Sequence, residues 1–154
     1  MSGINLTQEE AELLIMMDKK RKNDNVWKYP AKGQKVSIPI ISMDNKEDFF
    51  LDISKGSIDI KKIKYQERCR KTEVLIRLDL GGHPHRNPDD TEIGAPHLHY
   101  YKEGYGDKWA KTIPANLFSN LSDEFKTLKE FMKYCNIIVP PIFVKEQQEL
   151  AFYD

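Results

Sequence analysis

The four histidines of this chain, His83, His85, His97 and His99, fall within seventeen residues and form two His-x-His pairs. Imidazole titrates near neutral pH and is the commonest metal ligand, so this clustering suits more than one chemistry. In a strand, residues two apart point to one face, about 7 Å apart along the chain. His97 and His99 could therefore chelate one divalent transition metal, with Asp79, Glu103 or a loop histidine completing the shell. The same residues suit metal-free acid–base catalysis on RNA or another phosphoester, one histidine as general base and one as general acid. Arg77, Arg68, Arg70 or Lys108 would then hold the phosphate, and Tyr101 or Tyr105 would donate a proton or stack on a base. A third reading is structural. Asn87-Pro88-Asp89-Asp90 is good turn chemistry, and the histidines would pin the loop and fill polar gaps beneath it.

The elements that must position these residues follow from periodicity. Thr7 and Glu10 form a capping-box pattern, with Leu6 and Ala11 placed as a hydrophobic staple. Ala11, Leu14, Ile15 and Met17 give an apolar face, and Lys19 to Lys22 put positive charge at the carbonyl end, so a helix is predicted over 7–22. Val36, Ile38 and Ile40 alternate, but Pro39 cannot donate to a ladder and argues for an edge strand. Phe49, Leu51 and Ile53 share a strand face. The turn Ser54-Lys55-Gly56 leads into a long strand over 57–69, which turns at Arg70-Lys71-Thr72. The next strand, 73–80, alternates Val74, Ile76, Leu78 and Leu80 inward against Glu73, Leu75, Arg77 and Asp79. A Gly- and Pro-containing loop, 81–96, then precedes a strand over 97–103. If that strand pairs with 73–80, Arg77 and Asp79 share the polar face of the histidines. A second helix, capped by Ser122, is expected over 122–135, with Phe125, Leu128, Met132 and Cys135 inward. The apolar tail from Ile137 reads as an extended segment laid over the domain.

These elements predict one α+β domain over 1–154: an antiparallel sheet of about five strands with an N-terminal and a C-terminal helix. At 154 residues a single domain buries about 70% of its unfolded surface. Twenty-four basic residues balance twenty-four acidic ones, so net charge argues for neither nucleic acid nor membrane as partner. The basic run from Lys61 to Lys71 reads more simply as an exposed strand face than as a binding site. Cys69 and Cys135 are too few for a disulfide framework and lack metal-ligand spacing. The N-terminus has no apolar leader pattern, and no apolar run approaches the ~20 residues of a membrane span. A reducing cytoplasm is the expected compartment.

The segments Arg77-Leu78-Asp79, Asn87-Pro88-Asp89, His97-Leu98-His99, Glu103-Gly104-Tyr105 and Asp107-Lys108-Trp109-Ala110 resemble an uncharacterised family of small bacterial and phage proteins. The resemblance runs from the capped first helix to Trp109, and the family's pattern favours Gly where this chain has Asp90. It implies that 77–109 is a functional unit, and it brings no reaction with it. More distantly, the hairpins followed by a His-x-His strand look like toxin components of toxin–antitoxin pairs. The string from His97 to Glu103 also looks like the first half of a cupin metal motif, although no histidine follows His99 to supply the second half. The reading that follows is a toxin-like or phage-related endoribonuclease using His97, His99, His83, His85 and Arg77. The alternatives are a non-enzymatic partner of an antitoxin or host protein, docking through 81–109 with Tyr100, Tyr101, Tyr105 and Trp109, and a small metal-binding protein.

Overall fold

A computed structural model of the chain describes residues 6–59 and 61–144. Helix α1 spans Gln8–Met16 behind the expected capping box, with Thr7 accepting from Glu10 N and the Glu10 side chain accepting from Thr7 N. Leu6, Ala11 and Leu14 are buried, as the staple and apolar face require. The helix is shorter than its periodicity suggested, because Lys19–Arg21 is a strand, β1. Lys19 is the reason. Its side chain is fully buried, and its ammonium donates to the carbonyls of Ile15 and Cys135 while standing 3.1 Å from a Glu67 oxygen. A residue expected to be a solvated tail is thus a core cation that ties the ends of the two helices together.

The remaining elements are β2 (Val26–Trp27), β3 (Lys35–Ser42), β4 (Asp48–Lys55), β5 (Ile63–Cys69), β6 (Glu73–Asp79), β7 (His85–Arg86), β8 (Glu92–Ile93), β9 (His97–Lys102), β10 (Gly106–Thr112), α2 (Glu124–Tyr134), β11 (Ile137–Val139) and β12 (Ile142–Phe143). The main sheet has eight strands in the order β10-β9-β6-β5-β4-β3-β1-β11, rather than about five. It is antiparallel except where β11 joins β1, so the class is α+β as expected. The short strands β1 and β11 and the polar strand β10 carry too little alternation to announce themselves. Residues 57–59 and 61–62 lie outside any strand, so β5 begins later than the expected strand.

Pro39 lies in an interior strand, between β1 and β4. Its carbonyl accepts from Lys22 N, so its missing N–H faces β1 just where that three-residue strand stops. The rule against Pro in a ladder is obeyed locally, without the strand being an edge. In β6 the expected alternation breaks. Glu67 pairs with Ile76 and Arg68 with Val74, leaving Leu75 as an extra residue. Such a bulge turns two consecutive side chains to one side, and Leu75 and Ile76 are both buried. Val74, expected inward, is only partly buried.

One sheet face is apolar: Ile38, Ile40, Phe49, Leu51, Ile53, Tyr65, Leu78 and Leu98 are all buried. Helix α2 lies against it, with the Tyr65 hydroxyl donating to the Glu124 carbonyl and the Tyr65 ring 6.0 Å from Phe131. Its N-cap is Asp123 rather than Ser122. The other face is built by register into two polar rows. One runs Lys35–Ser54–Lys64–Asp79–His97–Thr112 and the other Ser37–Asp52–Gln66–Arg77–His99–Ala110, each residue directly opposite the next.

Candidate metal centre under the 81–96 loop

Because Asp79 pairs with His97 and Arg77 with His99, four polar side chains converge on one face of β6 and β9. Asp79 Oδ2 lies 3.2 Å from His97 Nε2 and 3.5 Å from His99 Nε2. One ligand atom from each of Asp79, His97 and His99 falls within 4.8 Å of the others. The second ring nitrogens are anchored on backbone: His99 Nδ1 is 2.8 Å from the Asp107 carbonyl, and His97 Nδ1 is 3.2 Å from the Gly94 carbonyl. A carbonyl accepts only, so His99 Nδ1 donates and its Nε2, which accepts from Arg77, presents a lone pair inward; His97 faces two acceptors, the Gly94 carbonyl through Nδ1 and the Asp79 carboxylate through Nε2. Metal-binding histidines are held by such Nδ1–carbonyl contacts.

Burial pulls the His97 pKa below the ordinary histidine value, more than Asp79 and Gly94 raise it. A neutral imidazole has one N–H, so His97 serves either the Gly94 carbonyl or the Asp79 carboxylate, and a metal at Nε2 would require the tautomer that serves Gly94. Burial also works against ionisation of Asp79. Its close approach to His99, together with the charge and hydrogen bonds of Arg77, outweighs burial and holds the carboxyl well below the usual range. Arg77 donates to Asp79 at 2.9 Å, to Asp107 at 2.8 Å and to His99 Nε2 at 2.9 Å.

The 81–96 loop covers this cluster as a small hairpin of β7 and β8. Asp90 takes a φ of +71° at the turn, the left-handed conformation for which Gly would be preferred. Asn87 fastens the hairpin: its amide donates to the Ala110 carbonyl at 2.9 Å and accepts from Ala110 N at 2.8 Å. A side chain thereby pairs with the outer edge of β10 as a strand would. His85 follows, its Nε2 2.6 Å from the Lys108 carbonyl and its ring 4.5 Å from that of His99. Beneath the hairpin His97 is 2% exposed and His99 0%.

The structure therefore brings together Asp79, His97, His99, Arg77 and His85, and leaves the other expected residues elsewhere. His83 is exposed and lines a separate cavity with Lys62 and Lys64. Glu103 accepts from Gln8 N at the start of α1, so the expectation that it completes a metal shell is corrected. Tyr101 is buried, donating to the Leu6 carbonyl, and has no access to a base or phosphate. Arg68 is paired with Asp52 over the Phe50 ring, and Arg70 faces Glu10 and Glu47. Lys108 contributes its carbonyl rather than its exposed ammonium, and Tyr105 stacks edge-on against Trp109. Two contributors were not assigned to the site from sequence: Asp107, which binds both Arg77 and His99, and Asn87, read there only as a turn residue. A bulge in β10 between Gly106 and Trp109 aims Asp107 inward, and no sequence periodicity marks it.

A family model described as "Family of unknown function (DUF6978)" matches residues 6–137. No curated protein and no solved structure is significantly similar to the chain. No helix among the described residues is long and apolar enough to cross a membrane.

Proposed function

We propose, starting from a chain that belongs to this family of unknown function, that it binds one divalent transition-metal ion between Asp79, His97 and His99 and uses it in hydrolytic chemistry on a phosphoester. The observation that carries this reading is the convergence of one possible ligand atom from each of three buried side chains, with the Nδ1 atom of both histidines beside a backbone carbonyl. Tetrahedral ligands at about 2.0–2.1 Å from an ion are separated by about 3.3 Å. The Asp79 contacts to His97 and His99, 3.2 and 3.5 Å, bracket that edge. Two imidazoles and one carboxylate suit zinc, iron, manganese or nickel, and leave positions for water and substrate. His85 is the adjacent third imidazole.

The toxin-like endoribonuclease expected from sequence enters here in a metal-assisted form. Side chains 0% and 2% exposed do not pass protons directly to a polymer, whereas a bound ion acts through its open coordination positions. A second reading, docking of a protein partner, draws support from the turn before β10, where the Tyr105 ring is exposed.

Elemental analysis of protein purified without an affinity tag tests the proposal, followed by titration of chelator-treated protein with zinc, manganese, iron(II) and nickel. Wild type should hold about one equivalent of one metal. A His97→Ala/His99→Ala variant should hold none while retaining the wild-type circular dichroism spectrum. Absence of binding by wild type, or equal binding by the variant, refutes it.

A further inference from the structure

A cavity of about 620 Å³ opens beside the candidate centre, between the stretch 56–59 and the exit of β6. Its wall is cationic. Lys62, Lys64 and His83 line it, with the hydroxyls of Ser54 and Ser57. Lys55, also at the wall, is committed to Glu124 at 3.1 Å. Lys62 and Lys64 have no carboxylate partner among the described residues. The wall's carboxylate, Asp59, accepts from the backbone N–H of Lys61. Two unpaired ammonium groups, an imidazole and two hydroxyls around one concavity are a donor set for an anion.

The cavity is shaped by backbone approaches that only glycine permits. A Cβ on Gly56 would stand 2.4 Å from the Asp59 carbonyl oxygen, and one on Gly81 would stand 2.4 Å from that of Lys61. Gly82, with φ at +107°, then turns the chain so that His83 reaches the wall. The position relative to the centre is set by register. Ser54, Lys64, Asp79 and His97 are consecutive partners in one cross-strand row. Adjacent strands lie about 4.8 Å apart, so Lys64 is one strand from Asp79 and about 10 Å from His97.

We propose that this cavity is a phosphate-binding subsite, in which Lys62, Lys64 and His83 hold a phosphate group of the molecule that reaches the Asp79–His97–His99 centre. The phosphate binding stands on the cavity alone; its link to substrate rests on the metal reading above. The group is supplied either by a small phosphomonoester or by a nucleic-acid backbone.

The test uses the full chain in chelator, with inorganic phosphate as probe and chloride and nitrate as controls. Binding is followed by calorimetry and by the backbone amide signals of Lys64, Gly82 and His83. Phosphate should shift those signals saturably. Lys62→Gln and Lys64→Gln should each weaken binding roughly ten-fold or more, as loss of a charge-assisted hydrogen bond requires, while Lys133→Gln on α2 should not. Matched thermal melts establish that the variants are folded. Binding no stronger than that of chloride, or an affinity unchanged in both lysine variants, overturns the proposal. Because the assay contains no metal, phosphate binding by a chain that binds no metal would sink the proposed function and leave the subsite standing. A short oligoribonucleotide separates the sources. A logarithmic salt slope of about −0.7, no steeper than one phosphate gives, assigns the subsite to an end phosphate, and a slope several times steeper assigns it to a backbone.

Discussion

Asn87 is the residue by which the loop over the candidate centre is tested. Its amide makes two hydrogen bonds to Ala110, at 2.9 and 2.8 Å, and is 5% exposed. Asn87→Ala deletes both bonds and leaves the N–H and C=O of Ala110 without partners. Each orphaned buried group costs about 1–3 kcal/mol, so closure of the hairpin should weaken by about 2–5 kcal/mol. β10 keeps its pairing with β9 on the other side, so the loss should appear as local opening and not as global unfolding. Hydrogen exchange read on a peptide covering 81–96 should accelerate by about 30-fold or more, since each 1.4 kcal/mol is a factor of ten. The urea midpoint should move much less. Opening the hairpin also removes the Gly94 carbonyl from His97 Nδ1 and the Lys108 carbonyl from His85, contacts that orient both rings. Loss of such anchors weakens metal binding by about 10- to 100-fold. Asn87→Asp should be no better, because it aims an acceptor at the Ala110 carbonyl. Unchanged exchange in the 81–96 peptide of Asn87→Ala would refute the latch and everything derived from it.

Further outcomes follow from other contacts. At a metal concentration one hundred times Kd, binding adds about 2.7 kcal/mol of stability, so the wild-type melting temperature should rise by about 5–10 °C and His97→Ala should show no rise. Arg77→Met removes the cation beside a buried carboxylate; it should destabilise the metal-free chain by about 3–5 kcal/mol and the metal-loaded chain much less, as denaturation with and without metal would show. Burial pushes the Glu67 carboxyl up to about 7 against the pull of Lys19. Its folded value therefore exceeds its unfolded one, and its contribution is full below pH ~4.5 and lost as pH rises through 7. That loss should approach 3 kcal/mol in denaturant melts and should flatten in Glu67→Gln. Phe131, fully buried against Tyr65, should cost about 3–5 kcal/mol as alanine, which a urea titration would measure.

Much of this site was legible because two rules act together. Strand periodicity put His97 and His99 on one face, and antiparallel pairing with 73–80 brought Arg77 and Asp79 opposite them. What periodicity does not encode was missed. Glu103 falls beyond the end of β9, where its side chain serves α1. Leu75 turns inward at a bulge that sequence alternation cannot register. Lys19 reads as a helix-terminal surface charge, because burial of a lysine depends on a glutamate and a carbonyl distant in sequence. The pair His83 and His85 looked equivalent, yet Pro84 and the turn at Gly82 send one to the basic cavity and the other to the cluster.

Arg77 supplies the fixed positive charge of this cluster. Its guanidinium donates to Asp79, to His99 Nε2 and to Asp107, supplying positive charge to lone pairs that would otherwise face one another in a dry setting. A metal bound there would compete with Arg77 Nη2 for His99 Nε2 and Asp79 Oδ2, while Nε would keep Asp79 Oδ1 and Nη1 would keep Asp107. On the proposed metal reading, the Nη2 N–H freed in that exchange would be available to an anionic substrate, where such a donor stabilises developing charge. The polar row beside it carries Lys64 one strand away. Register alone has thus set a fixed cation, a chelating trio and a basic cavity side by side on one sheet face, an order that suits an anionic substrate better than a neutral one.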